Sequence, residues 1–172
     1  MYSTHKPMEL QIKLLDNGER IRQTFIEKFL ENYEWDLMWP KLKREFPSIS
    51  FAAALELLRN LPGDVLFMSE GPAYSCAHPL HYQGRDYLHF VASANASVLA
   101  ALIEFEWMED ARLLAQNMYL ANTILPEDLY VFTPELDRVL IFTHETDDYE
   151  AELAADYIKQ AQSRVCFACG FE

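Results

Sequence analysis

Glycine, cysteine and basic residues are all scarce in this 172-residue chain, and each scarcity excludes something. The five glycines never fall close together, with Gly63, Gly71, Gly84 and Gly170 far apart, so no glycine-rich loop exists to cradle a phosphate. The eight prolines are equally scattered and no Ser/Gly/Pro-rich linker occurs, which predicts a single domain over residues 1–172. Hydrophobic residues make up 51% of the chain, enough for a sizeable core at this length. Three cysteines are too few, and odd in number, for a disulfide framework, and they suit a reducing compartment. No apolar run approaches the roughly 18 residues that a membrane span needs. The opening MYSTHKPMELQIKLL also lacks a signal peptide's apolar core. A soluble cytoplasmic protein is expected.

The shortage of basic residues is local. Residues 1–50 hold eight Lys/Arg and eight Asp/Glu, so the whole net charge of −13 comes from residues 51–172. Ten carboxylates lie between Glu127 and Asp156, where Arg138 is the only Lys or Arg. Such a surface repels phosphate backbones, which excludes direct nucleic-acid binding, and it speeds encounter with a basic protein.

Hydrophobic spacing supplies the fold class. Ile21, Phe25, Ile26, Phe29, Leu30 and Tyr33 recur at helical period after Asn17-Gly18 and predict a helix over 18–33. WDLMWPKLKREF reads as a second helical stretch interrupted by Pro40, with Trp35 and Trp39 on one face as core residues. Ser48 or Ser50 can cap a third helix that carries Phe51, Ala54, Leu55 and Leu58 inward. DVLFMS reads as a buried strand, EGPAYSCAHPLHYQGRDY as an irregular stretch, and RDYLHFVAS as a strand leading out of it. Asn95 can cap one long helix or two over 95–121. LYVFT and RVLIFTH form a hairpin, Thr146, Asp147 or Asp148 can cap a helix through YEAELAADYIKQAQS, and RVCFAC closes the sheet. Without regular βαβ alternation, the expected fold is α+β: a small antiparallel sheet packed against several helices on one side, with a helical N-terminal third.

Metal-binding residue types form one constellation. Cys76, His78 and His81 stand in C-x-H-x-x-H order, and Cys166 and Cys169 stand in CFACG near the end. These five could supply the four thiolate and imidazole ligands of a structural zinc. Residues 164–168 read as a strand, however, and positions three apart on a strand point to opposite faces. Unpaired thiols in the core are therefore the main expectation, with no cofactor and zinc as the alternative.

Catalytic patterns are sparse. Ser69, Ser75, Ser93 and Ser97 lack a nucleophile-elbow setting. A thiol or metal-dependent hydrolase would have to use Cys76 with His78, His81 or His144. His144-Glu145 also reads as a polar strand end, and Glu104, Glu106, Glu109 and Asp110 as a solvated acidic face.

LPEDLYVFTPELDRVLIFTHET, residues 125–146, resembles the C-terminal hairpin of several families of small bacterial proteins, some of them immunity proteins encoded beside polymorphic toxin genes. In these a strand of the type D-hydrophobic-Y-hydrophobic-F is followed by an acidic turn and a second strand ending near F-T-H-E. The resemblance implies a noncatalytic protein that binds and blocks one toxin, with the acidic 127–156 region as the contact if that toxin is basic. The candidate partner-binding residues are Glu127, Asp128, Glu135, Asp137, Glu145, Asp147 and Asp148, with Tyr130 or Tyr149 as aromatic anchors. A further alternative is a structural homodimer joined through the aromatic-rich helices of residues 20–60.

Overall fold

The computed structural model describes residues 8–30, 46–69, 79–118 and 123–171. Trp35, Trp39, Cys76 and His78 lie outside the described residues. In chain order, a 3-10 turn (Glu9–Gln11) leads to β1 (Lys13–Leu14), α1 (Gly18–Phe29), β2 (Ser48–Ile49), α2 (Phe51–Arg59) and β3 (Asp64–Met68). Next come β4 (Leu80–Tyr82), β5 (Arg85–Tyr87), β6 (Ala92–Asn95) and α3 (Ala96–Ala115). The hairpin β7 (Leu129–Phe132) and β8 (Val139–Thr146), then α4 (Tyr149–Leu153), α5 (Tyr157–Gln162) and β9 (Arg164–Cys169), complete the chain.

Helix starts follow capping chemistry. The Ser50 hydroxyl accepts the Ala53 amide at the head of α2, and Asn95 accepts both Ser97 and Val98 amides at the head of α3. Residues 96–115 form one helix. The expected helix after the hairpin instead divides in two, because Ala155 adopts a positive φ of 52° and Asp156 caps a new start by accepting the Lys159 amide.

Among the described residues seven strands form one antiparallel sheet in the order β1-β6-β3-β7-β8-β9-β2, and β4 pairs with β5 separately. The α+β class and the antiparallel pairing are as the sequence predicts. RDYLHFVAS is not one strand: its head is β5, joined to β4 by Gln83-Gly84, both at positive φ as a tight two-residue hairpin turn requires. Glu9, buried on the 3-10 turn, accepts the Gln83 amide at 2.5 Å and holds this small hairpin in place.

Period-two alternation sorts the strand side chains onto two faces. Val65, Phe67, Leu129, Val131, Leu140 and Phe142 join α2 and α3 in one core. Leu66, Met68, Tyr130, Phe132, Val139 and Ile141 meet Phe25 and Phe29 of α1 in a second. The helices therefore cover both faces, a correction to the one-sided packing expected from the element order. The central runs Val65–Met68, Leu129–Phe132 and Val139–Phe142 are apolar at every position, as strands buried on both sides require. The same packing consumes the aromatic residues of α1 and α2. Phe25, Phe29 and Phe51 are buried inside the chain, so they do not supply the apolar dimer face that the sequence suggested.

Candidate functional site

Pairing between β8 and β9 is regular up to Phe142, which faces Cys166; thereafter Thr146 faces Arg164, so four steps on one strand match two on the other. The surplus bulges out of the ladder, and bulges re-aim side chains. Here His144 turns to Asp128, just before β7. Its backbone N–H donates to Asp128 Oδ1 at 2.8 Å, and its ring Nδ1 lies 2.9 Å from both carboxylate oxygens. The hydrogen bond to Asp128 raises the pKa of His144 above the ordinary imidazole value, and Glu127 and Glu145 add to the effect.

Arg164 opens β9 and lays its guanidinium carbon 3.9 Å from the ring centre of Trp107, which itself stacks on Phe51 at 5.0 Å. A desolvated cation over an indole is stabilised by about 2 kcal/mol. Nη1 of Arg164 is sealed from solvent and has no hydrogen-bond partner. Burial opposes its charge, whereas Glu127, Asp128 and Asp110 favour it. Burial, reinforced by Glu127, shifts the Asp110 pKa upward, against the pull of Arg164.

These groups surround a cavity of about 80 Å³ between α3, α5 and the end of β8, lined by Trp107, Asp110, His144, Tyr157, Gln160 and Arg164 among others. A larger open groove of about 870 Å³ runs between α2, α3 and α5. Its charged groups pair with each other, Arg59 with Glu104 at 2.9 Å and Arg112 with Glu109. The smaller cavity thus gathers the titratable groups in unusual surroundings, the mark of a site able to do chemistry or bind a polar ligand.

The acidic residues singled out by sequence do not form one surface. Glu135 and Asp137 sit in the turn between β7 and β8, whereas Glu127, Asp128, Glu145, Asp147 and Asp148 gather at the other end. Most of β8 lies between them, a distance of roughly 20 Å at the usual strand rise. Several are also engaged internally. Asp137 accepts the Thr133 hydroxyl at 2.5 Å, which holds its pKa down, and Asp148 caps α4 through the Ala151 amide at 2.9 Å, which does the same. Tyr130 is 1% exposed in the α1 core and cannot anchor a partner, whereas Tyr149 is 68% exposed. Its neighbours Leu153 and Ile158 are exposed too.

Cys166 is fully buried with its thiol pKa pushed up to about 12 by burial, facing the α2 and α3 core. Cys169 packs toward the α1 core on the opposite face, so the two cannot close on one ion. Gly170 owes its place to the hairpin: a Cβ there would stand 2.0 Å from the Asp137 carbonyl oxygen, and φ is +87°. His81 pairs with Asp86 on the small hairpin. Among the described residues no three His, Cys, Asp or Glu side chains are placed to hold a metal.

Two readings of the carboxylates need correction. Glu106 is not on a solvated face; it is 2% exposed and accepts the Ile124 and Leu125 amides, with closest approaches of 2.7 and 2.9 Å. Asp110 is half-buried at the cavity. Sequence reasoning also missed Arg164, Trp107 and Tyr157 as one group. The available signal was a cation at the head of an otherwise apolar closing strand, an expensive placement unless something receives it.

Comparison of the chain with protein-family models, with curated proteins and with solved structures finds no match to any of them.

Proposed function

We propose that this chain is a noncatalytic cytoplasmic binding protein whose acidic face captures a basic protein, most concretely an immunity-type protein that neutralises a bacterial toxin domain. The observation that carries the reading is the surface after the hairpin, where Tyr149 and Leu153 are 68% and 70% exposed among Glu145, Asp147, Glu150 and Glu152. Exposed aromatic and aliphatic side chains within a ring of one charge sign have the composition of a binding hot spot with a steering rim. Lys159, the one Lys or Arg on α4 or α5, is 3.4 Å from Asp148, so it does not interrupt the negative field. The hairpin resemblance points the same way.

The test begins at the neighbouring open reading frame and continues with the purified basic domain it encodes. Glu145→Lys with Asp147→Lys should slow association about tenfold or more at low salt and flatten its salt dependence. Tyr149→Ala should instead speed dissociation. An unchanged association rate in the charge-reversed variant would overturn the acidic-face reading.

A further inference from the structure

Helix α3 is apolar on two sides. Its inner side chains, among them Leu99, Leu102, Ile103 and Trp107, lie in the core. Its outer side carries Ala101, Phe105 and Met108 at i, i+4 and i+7, with Ala101 exposed, Phe105 43% exposed and Met108 half-buried. A helix that is hydrophobic all round is ordinarily covered all round. Helices α2 and α5 both pack against α3, and α2 is tied to it by the Phe51 stack on Trp107 at one end and the Arg59 to Glu104 ion pair at the other. The groove of about 870 Å³ has the outer stripe of α3 as its floor, with Leu55 of α2 and Ile158 of α5 in its walls. An apolar trough framed by helices has the form that receives one more amphipathic helix.

We propose that this groove seats one amphipathic helix of the basic protein captured by the acidic face. The inference rests on that reading and names the element of the partner that is recognised. From Ala101 to Arg112 the floor runs roughly 16 Å at the usual helical rise, enough for the i, i+4 and i+7 side chains of a partner helix. Ile158 in the wall is the next exposed large apolar side chain after Tyr149 and Leu153, so the apolar surface of the acidic face continues toward the groove.

Charge sets the sign of the partner. Arg59, Arg112 and Lys159 are the Lys and Arg residues of α2, α3, α4 and α5, and each is held by a carboxylate of the same region, Glu104, Glu109 and Asp148 respectively. The exposed remainder, Glu150, Glu152 and Asp156, is acidic. A helix with lysine or arginine beside its apolar stripe therefore meets a neutral floor and a negative flank. A second copy of this chain would bring the same carboxylates to the contact and be repelled.

The probe is a helical peptide of about 18 residues, five turns, with leucine along one face and lysine on the others, and a counterpart with glutamate in place of lysine. Each is titrated into the full chain at low salt while NMR follows the methyl groups of Met108 and Ile158, with Met68 in the α1 core as reference. The lysine peptide should shift Met108 and Ile158 saturably with a dissociation constant of about 1–100 μM, leave Met68 in place, and bind at least about tenfold tighter than the glutamate peptide. Ala101→Glu alters an exposed helical position and should fold normally. Attraction by charge alone would make this variant bind the lysine peptide more tightly, whereas a larger side chain on the floor should weaken binding at least about fivefold. Affinity unchanged or tighter in Ala101→Glu, no saturation at Met108 and Ile158, or equal binding of the glutamate peptide overturns the proposal. So does a dimer by light scattering that Ala101→Glu dissociates, since the groove would then belong to a second copy. With the natural basic partner the two readings separate: if charge reversal at Glu145 and Asp147 slows association while Ala101→Glu leaves dissociation unchanged, the groove fails and the acidic face stands.

Discussion

The two ends of the β7 and β8 hairpin are built differently. At the turn end most contacts end on backbone: the Thr133 N–H donates to the Arg138 carbonyl at 3.1 Å, Gly170 lies against Asp137, and the Lys28 ammonium of α1 donates to the Leu136 carbonyl at 2.6 Å, with the Thr133 hydroxyl on Asp137 as the side-chain exception. At the open end side chains take over: Glu106 holds the approach to β7, Asp128 holds His144, and Trp107 holds Arg164. Backbone contact tolerates almost no change but does not titrate. Side-chain contact is softer and responds to pH and ligands. The contrast explains why the candidate site lies where regular pairing gives out.

The largest effect should come from the turn end. Gly170→Ala places a methyl group into a carbonyl at an unfavourable φ, and chemical denaturation should register a loss of about 3 kcal/mol or more. Recovery of wild-type stability would mean the tail can lift away from the turn. At the open end, Glu106→Ala leaves the buried Ile124 and Leu125 amides unpaired and should cost about 2–4 kcal/mol, checked in the same way.

His144→Gln should cost only a few tenths of a kcal/mol, since the pair with Asp128 is partly solvated. Its signature is in the pH profile. The folded pKa is raised, so the stabilisation is complete below the ordinary value of 6.5 and is lost as pH rises through the folded value. Wild-type stability should therefore decline across neutral pH more than that of the variant, and parallel profiles would remove the Asp128 pair as a cause. A change of similar size and of either sign, within about 0.5 kcal/mol, is expected for Glu145→Lys with Asp147→Lys, both exposed. A larger loss by thermal melting would show that these carboxylates also serve the fold.

Elements with strong periodicity or capping chemistry were legible in sequence. Phe25 and Phe29 marked α1, Ser50 and Asn95 marked helix starts, and RVCFAC did join the hairpin as a third strand. The three-residue strands β4 and β5 were not, because three residues cannot display alternation. Nor could composition separate Glu106 from Glu104: two carboxylates two residues apart on a helix point in different directions, one into the core. The candidate site was hidden for a related reason. Trp107, His144 and Arg164 come from three elements and meet only because a bulge changes the register between β8 and β9.

Among the described residues the sheet ends in strands of only two residues, β1 on one side and β2 on the other. Edges this short present few unsatisfied amide and carbonyl groups to another chain. Strand addition, whether by a peptide ligand or by a second copy during misassembly, thus finds little template here. For a sheet this apolar, the shortness of its outermost strands limits how far a second copy could extend it edge to edge.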